Sequence, residues 1–279
     1  MRKRCHSIGN KGQLSHGPKP SEMSNLSSRI IDPVGNSQSV RLYQLEINRV
    51  TIPQLEGKMS GTKYTPPKDS ITEGFANVES KGRKVRAEFQ ISFKVPVRYY
   101  EGDEAKKQYY MSTEKGNILI DLTAKIIEVR GSERLARRFR RFIYSEFSEL
   151  APSIEPLSLV ALKSSQKFYD AVIKASEVKS KKDTNINHAV YSNVEAQKLD
   201  RVDFRGQSLQ HKKEVTVYGT MHQGTISSFS GQLVFPSNAK LKISVNCENG
   251  SMLIFRTEDG ILEKDLRWII DQMIATASE

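Results

Sequence analysis

Alternating apolar and polar residues predict the strands of the first structured part of the chain. The runs Val40–Asn48 and Val85–Tyr99 alternate over most or all of their length. A period of two is typical of strands that bury one face. Further strands are predicted over Tyr109–Ser112 and Ile118–Val129, joined by a turn at Glu114–Asn117. The polar, Gly- and Pro-rich residues 53–82 favour a long loop instead.

Apolar residues at intervals of three and four predict three helices. The first follows a candidate N-cap at Ser132 and carries an apolar stripe from Leu135 to Leu150. The second is predicted over Leu157–Ala175 and the third over Leu262–Ala277. The remaining segments between these helices resemble short strands, and these are Arg201–Phe204, Val215–Tyr218, Gly224–Phe235, Leu241–Cys247 and Met252–Arg256.

Together these elements indicate an α+β fold of antiparallel sheets backed by amphipathic helices. Four regions follow: a disordered basic tail (1–39), a basic α+β domain (40–175), a linker (176–194) and a second α+β unit (195–279). The segments Thr113–Ile120 and Cys247–Ile254 both lead from a predicted hairpin into a helix. They suggest two pseudo-repeated sheet-helix units, a layout that would allow a saddle-like DNA-binding body.

Composition excludes several classes of protein. The 279 residues carry 43 Lys and Arg against 32 Asp and Glu, a formal net charge of +11. No run of about 18 apolar residues offers a transmembrane helix. The two cysteines, Cys5 and Cys247, lie at opposite ends of the chain, which excludes a disulfide scaffold and a zinc module. We expect a soluble intracellular protein, cytoplasmic or nucleoid/nuclear, with no membrane partner.

The positive charge is concentrated before residue 195, since the last 85 residues net −1 and the first 194 net +12. The densest basic segment is the predicted helix after residue 130, where arginine suits bidentate phosphate contacts. The alternative is a solvated face, or arginines paired with acids such as Glu101, Asp103 and Glu104. The candidate phosphate ligands in this segment are Arg130, Arg134, Arg137, Arg138, Arg140 and Arg141.

Tyrosines interleaved with basic residues add a second candidate surface. The pairs Tyr99–Tyr100 and Tyr109–Tyr110 flank residues 101–108, and one member of each pair is expected to face outward. An outward tyrosine can stack on a base, or it can cover the sheet or an interface. The nucleic-acid contacts predicted here are Arg98, Lys106, Lys107, Tyr100 and Tyr110, together with Lys115.

A search for catalytic chemistry finds little. No phosphate-binding glycine loop, nucleophile elbow or zinc-protease motif is present, so no catalytic residue, cofactor or metal site is predicted. A metal-dependent nuclease would need acids and a lysine near a strand, and the best such set is Asp121, Lys125 and Glu128, but alternation places Glu128 on the other face of the strand from the first two.

The leading hypothesis is a non-enzymatic protein that binds the phosphate backbone of DNA or RNA through its Arg-rich helix, as a subunit of a larger assembly. One alternative is a protein-interaction or structural subunit whose arginines dock an acidic partner. The other is a metal-dependent nuclease built around Asp121.

Overall fold

The computed structural model describes residues 29–31, 35–47, 50–67, 70–150, 152–194, 199–221 and 224–278. Within them the strands are β1 (Ile30–Ile31), β2 (Ser37–Glu46), β3 (Glu73–Lys81), β4 (Lys84–Glu101), β5 (Glu104–Asp121), β6 (Ile126–Arg130), β7 (Ser153–Pro156), β8 (Asn185–Val194), β9 (Leu199–Arg205), β10 (Thr225–Val234), β11 (Lys240–Asn246), β12 (Ser251–Phe255) and β13 (Ile261–Leu262). The α-helices are α1 (Ile52–Gly61), α2 (Glu133–Glu146), α3 (Ser165–Ser180), α4 (Lys213–Thr220) and α5 (Glu263–Ala277).

Most of the strands form one continuous antiparallel sheet. Its order is β3-β4-β5-β6-β2-β12-β11-β10-β8-β9, with β7 also paired to β2 and with β1 and β13 forming a separate pair. The first half of the molecule comprises β2 to β6 with α1 and α2, and the second half comprises β8 to β12 with α3 to α5. The halves join where β2 pairs with β12. The predicted α+β class is confirmed.

The helices of the two halves cover opposite faces of this sheet. In β2, Val40 and Leu42 belong to the core under α3 and α5, while Tyr43 and Leu45 belong to the core under α1 and α2. Alternate residues of a strand point to opposite faces, so the two cores lie on opposite sides. We name these sides the α2 face and the α5 face. A saddle, with all helices on one side, is therefore not formed.

Local sequence explains the two helices of the first half. Thr51 and Gln54 form a capping box at α1, and the buried pair Leu55 and Met59 lies one turn apart on its inner side. The side chain of Ser132 accepts a hydrogen bond from the backbone N–H of Leu135 and so caps α2 as predicted. The inner side of α2 packs on the aromatic core of β3 and β4, with ring contacts among Phe75, Phe89, Phe139 and Phe142.

The linker predicted over 176–194 is wrong, because the segment contains the end of α3 and all of β8. Its many lysines and asparagines obscured the apolar pattern in the sequence. The apolar side chains of this segment are nevertheless buried, and these are Ile186, Ala189, Val190 and Tyr191. β8 pairs with both β9 and β10, so the segment is an interior strand of the sheet.

The turn predicted at Glu114–Asn117 is also wrong, since β5 runs through it without a break. Gly116 is needed for a close approach: a Cβ there would lie 2.4 Å from the carbonyl oxygen of Arg130. The turn into β6 falls at residues 122–125. In each half, two strands joined by a four-residue turn lead into a helix. These units are β5-β6-α2 in the first half and β11-β12-α5 in the second, where β13 precedes the helix.

Four other expectations differ from the structure. Residues 53–82 contain most of α1 and β3 in addition to loops, and Val215–Tyr218 lies in the helix α4. Residues 157–164 precede α3, which starts at Ser165. Residues 1–28 of the predicted tail lie outside the described residues, whereas β1 and the start of β2 show regular structure before residue 40.

Candidate nucleic-acid interface

The hairpin of β4 and β5 extends beyond the rest of the sheet as a two-stranded ribbon. The two strands pair without a register shift from Lys84↔Asp121 to Glu101↔Glu104. β3 pairs with β4 only as far as Ile91, and β6 pairs with β5 only from Asn117 onward. We define the ribbon as residues 94–101 of β4 and 104–111 of β5. Its eight residue pairs span about 26 Å at about 3.3 Å per residue.

Alternation along the ribbon gives it two chemically different faces. The odd-numbered residues of β4 up to Ile91 are buried on the α2 face, and the unbroken register carries this alternation to the tip. The face that continues the α5 side is the basic face, with Lys94, Pro96, Arg98, Tyr100, Ala105, Lys107, Tyr109 and Met111. The face that continues the α2 side is the apolar face, with Val95, Val97, Tyr99, Glu101, Glu104, Lys106, Gln108 and Tyr110.

The basic face carries three cations and no acid. Within the described residues, Lys94, Arg98 and Lys107 form no ion pair. The ammonium of Lys107 lies 5.0 Å from the ring centroid of Tyr109, a cation–π contact that leaves the charge in solvent. Tyr100 is 76% exposed and is the most accessible aromatic side chain of the ribbon. This face therefore presents charge and aromatic surface to a ligand without needing to break an internal ion pair.

The apolar face exposes large side chains instead. Val97, Tyr99 and Tyr110 are each between 41% and 51% exposed. The hydroxyl of Tyr110 donates a hydrogen bond to Gln108, and Lys106 pairs with Glu101 near the tip. The prediction that one tyrosine of each pair faces outward understates the exposure, because no other strand of the described residues pairs with the ribbon and both of its faces meet solvent.

Arg130, predicted as a phosphate ligand, lies between the two halves with only 15% of its side chain exposed. Its guanidinium donates to Glu128 at 2.5 Å and makes a bidentate pair with Glu263 of α5 at 2.7 Å. Arg267 of α5 donates to the other oxygen of Glu128 at 2.7 Å. Burial disfavours the Arg130 charge, but Glu128 and Glu263 outweigh that cost and hold its pKa above the ordinary value. We call these four residues the inter-half cluster.

Three arginines of α2 are held by acids of neighbouring elements. Arg134 donates to Glu114 of β5 at 2.8 Å, with its guanidinium 3.6 Å from the ring centroid of Phe93. Arg138 forms an ion pair with an acid at the start of β3, and Arg140 forms one with an acid of β7. These pairs are Arg138–Glu73 at 3.6 Å and Arg140–Glu155 at 3.0 Å. The partner acids thus differ from Glu101, Asp103 and Glu104, which the alternative reading had suggested.

Two arginines of α2 stay largely accessible. Arg137 is 69% exposed at its side chain and makes only an i,i+4 pair with Glu133 at 3.3 Å. Arg141 is exposed and has no ion-pair partner within the described residues. It lines an open cleft of about 630 Å³ beside the root of the ribbon, together with Lys63, Thr72 and Arg138.

The structure separates the predicted ligands and places on the basic face a further cation, Lys94, that the prediction did not include. Arg98, Lys107 and Tyr100 share the basic face, whereas Lys106 and Tyr110 lie on the apolar face. Lys115 lies on the sheet below the ribbon and pairs with Glu88 at 3.4 Å. Lys94 was missed, although strand alternation places it on the same face as Arg98 and Tyr100.

The acidic set considered for a nuclease does not form a metal site. Asp121 ends β5, where it pairs with Lys84 at 2.9 Å and accepts backbone N–H groups of the turn, while Glu128 lies in the inter-half cluster. Lys125 is in the turn between strands. Among the described residues, no group of three His, Cys, Asp or Glu side chains is arranged to hold a metal ion.

Two further observations concern Cys247 and the helices. Cys247 is a buried free thiol whose pKa burial raises to about 12, aided by the charge of Glu248, so it is poorly suited to act as a nucleophile. None of the helices in the described part of the chain is long and apolar enough to cross a membrane.

The sequence matches no known protein family, and no curated protein is similar to it.

Proposed function

We propose that this protein binds nucleic acid through the basic face of the β4–β5 ribbon. The observation that carries the proposal is the asymmetry of the ribbon: three unpaired cations and two tyrosines share one face, and that face has no acid. An ordinary solvated surface mixes both signs of charge. Unpaired cations with exposed aromatic rings suit a polyanion with stackable bases.

The shape of the ribbon favours duplex DNA. The major groove of B-DNA is about 12 Å wide and admits a two-stranded β-ribbon. The major groove of A-form RNA is too narrow to be read in this way. Lys94, Arg98 and Lys107 would contact phosphates along the groove, and Tyr100 near the tip would lie against base edges or sugars.

The arginines of α2 have a smaller role in this proposal than the sequence suggested. Arg134, Arg138 and Arg140 would each have to leave an acidic partner before binding phosphate. Arg141 is accessible without such a loss, and Arg137 would give up only an exposed i,i+4 pair with Glu133. They are on the α2 side of the sheet, opposite the basic face of the ribbon, so one duplex does not need to engage both sets.

Fluorescence anisotropy over a range of salt concentrations tests the proposal. The wild type is compared with Lys94→Glu/Arg98→Glu/Lys107→Glu, using duplex DNA and single-stranded RNA of equal length. The variant should lose affinity for the duplex by on the order of 100-fold, and its salt slope should fall by about 3, because each phosphate contact contributes about 0.9.

The matched control reverses three exposed lysines that follow or end α3, in Lys179→Glu/Lys181→Glu/Lys182→Glu. It makes the same change in net charge and should bind almost like the wild type. Equal losses in both variants would show that only net charge matters. Absence of wild-type binding at low salt would overturn the proposal, and preference for RNA that depends on Tyr100 and Tyr109 would reassign the ligand to single strands.

A further inference from the structure

We propose that the apolar face of the ribbon packs against the same face of a second copy of this chain, forming a two-fold symmetric dimer. This inference does not depend on the proposed function, because it concerns the opposite face of the ribbon. The surface is defined by the exposed side chains of Val97, Tyr99 and Tyr110, which project from a ribbon that no other strand of the described residues pairs with.

The first argument is the pattern of apolar exposure. Valine and two tyrosines lie next to one another across the ribbon, since Val97 pairs with Gln108 and Tyr99 with Lys106, while Tyr110 pairs with Val95. Aromatic residues are enriched at protein interfaces. Exposed apolar side chains gathered on one face are a feature of surfaces that bind another protein.

The second argument is charge complementarity between the two ends of the same surface. The tip carries three carboxylates, of Glu101, Asp103 and Glu104, and Glu101 and Glu104 lie directly opposite each other in register. Like charges at directly opposed positions are unfavourable. Lys106 offsets one of them by pairing with Glu101, while Asp103 and Glu104 have no ion pair within the described residues.

The root of the same face carries the complementary charge. The guanidinium of Arg134 lies over Phe93, the last apolar residue before the ribbon, so the start of α2 flanks the root. Arg141 extends unpaired from the same helix, as does Arg137 beside its partner Glu133. The cleft at the root is lined by Lys63, Arg138 and Arg141 against Glu73 and Glu146, so its cations exceed its acids by one. When two ribbons pack antiparallel over their length of about 26 Å, each acidic tip meets the basic root of the partner copy.

This arrangement is isologous, since the same patch serves both copies and each contact occurs twice. The ribbon alone presents about 26 Å by about 10 Å, which is less than a stable interface needs. The contacts between tip and root therefore contribute necessary area, and the dimer is concentration-dependent. It leaves the basic face of each ribbon outward.

Sedimentation equilibrium of the full chain over a range of concentrations tests the dimer. The wild type should approach twice the chain mass of 31.6 kDa as concentration rises. Val97→Ser/Tyr99→Ser should remain monomeric, while the control Val178→Ser, at an 80% exposed site on α3, should behave like the wild type. A wild type that stays monomeric at every soluble concentration, or a dimer that survives Val97→Ser/Tyr99→Ser, would overturn the proposal.

A charge-swap experiment tests the register. The tip variant Asp103→Lys/Glu104→Lys and the root variant Arg137→Glu/Arg141→Glu should each be monomeric, because tip and root then repel in a homodimer. Mixing the two should restore a heterodimer, since both contacts in the pair are again of opposite charge. The tip variant mixed with the control Lys179→Glu/Lys181→Glu, whose interface is unchanged, should form no heterodimer, although the control still forms homodimers with itself. Failure of the first mixture to associate would refute the antiparallel arrangement, and DNA binding by the separate monomers would leave the proposed function intact.

Discussion

The helix α2 and the β4–β5 ribbon are both basic in sequence, but the fold uses their charges differently. α2 and the last residue of β6 contain six arginines, and five of them form ion pairs with acids, including Arg130 of β6. The ribbon has fewer cations, and three of them share a face that lacks acids. The density of charge in a sequence is therefore a poor guide to the charge available to a ligand. The partners that neutralise an arginine come from distant positions, as Glu263 does for Arg130 across 133 residues.

The largest contrast should appear in stability, between two arginines on strands. Arg130→Gln should lower the free energy of unfolding by about 3–5 kcal/mol, because it leaves Glu128 and Glu263 with too little positive charge in a buried site. Arg98→Gln, on the solvated ribbon, should change it by less than about 0.5 kcal/mol. Urea unfolding of both variants measures the difference in the free energy of unfolding. Equal losses would contradict the distinction between arginines paired with acids inside the fold and arginines free to bind a ligand.

The inter-half cluster should also make the free energy of unfolding depend on pH in the acidic range. Burial disfavours the charge of Glu128, but Arg130 and Arg267 outweigh it and lower the pKa of this carboxyl below its ordinary value of 4.5. The stability it contributes is fully present above that value and is lost as the pH falls through the lowered pKa in the folded protein. Unfolding followed by circular dichroism should show this loss in the wild type, and Glu128→Gln should show a shallower acid dependence. An identical pH profile in the variant would rule out this residue as the source.

Gly116 distinguishes the observed strand from the predicted turn. Gly116→Ala should cost about 1–3 kcal/mol, because the new methyl group would meet the carbonyl oxygen of Arg130 at 2.4 Å. The control Gly57→Ala, on the exposed side of α1 with no atom within 4 Å of the new Cβ, should stabilise by about 1 kcal/mol through helix propensity. Thermal unfolding of the two variants measures both effects. A Gly116→Ala variant as stable as the wild type would contradict the close approach of β5 to Arg130.

A smaller effect is expected within α2 itself. Arg134→Ala should cost about 1 kcal/mol, since it removes the guanidinium that stacks on Phe93 and pairs with Glu114. Arg137→Ala should cost less than about 0.5 kcal/mol, because its one pair is an exposed i,i+4 contact. The same urea assay resolves the order, and a greater loss from Arg137→Ala would show that the stacking on Phe93 adds nothing.

The sequence predicted the elements in which a regular pattern of apolar residues continues over many positions. β4 and the helices α2 and α5 were recognised in this way, as were β10 to β12, because each buries one regular stripe. Elements with few apolar residues were missed. α1 depends on Leu55 and Met59 alone, and β8 hides its buried positions among polar residues.

The candidate site was less predictable than the fold, for a physical reason. Whether Arg138 is free or paired depends on Glu73, which reaches it only after β3 packs beside β4 and α2. The exposure of the ribbon depends on where β3 and β6 stop pairing, and no local pattern marks those points. The alternation from Phe93 to Glu101 did carry the useful signal, since it places Lys94, Arg98 and Tyr100 on one face.

The central claim is that the charge available to nucleic acid lies on the ribbon. It is tested most directly by the salt dependence of affinity for a duplex just long enough for one ribbon, so that each duplex contacts a single basic face. Two neutralised variants, Lys94→Gln/Arg98→Gln/Lys107→Gln and Arg137→Gln/Arg138→Gln/Arg141→Gln, remove three positive charges each. We predict that the ribbon variant lowers the salt slope by about 3 and the helix variant by less than about 1. An unchanged slope in the ribbon variant, with the loss found in the helix variant, would contradict the account and return the phosphate contacts to α2.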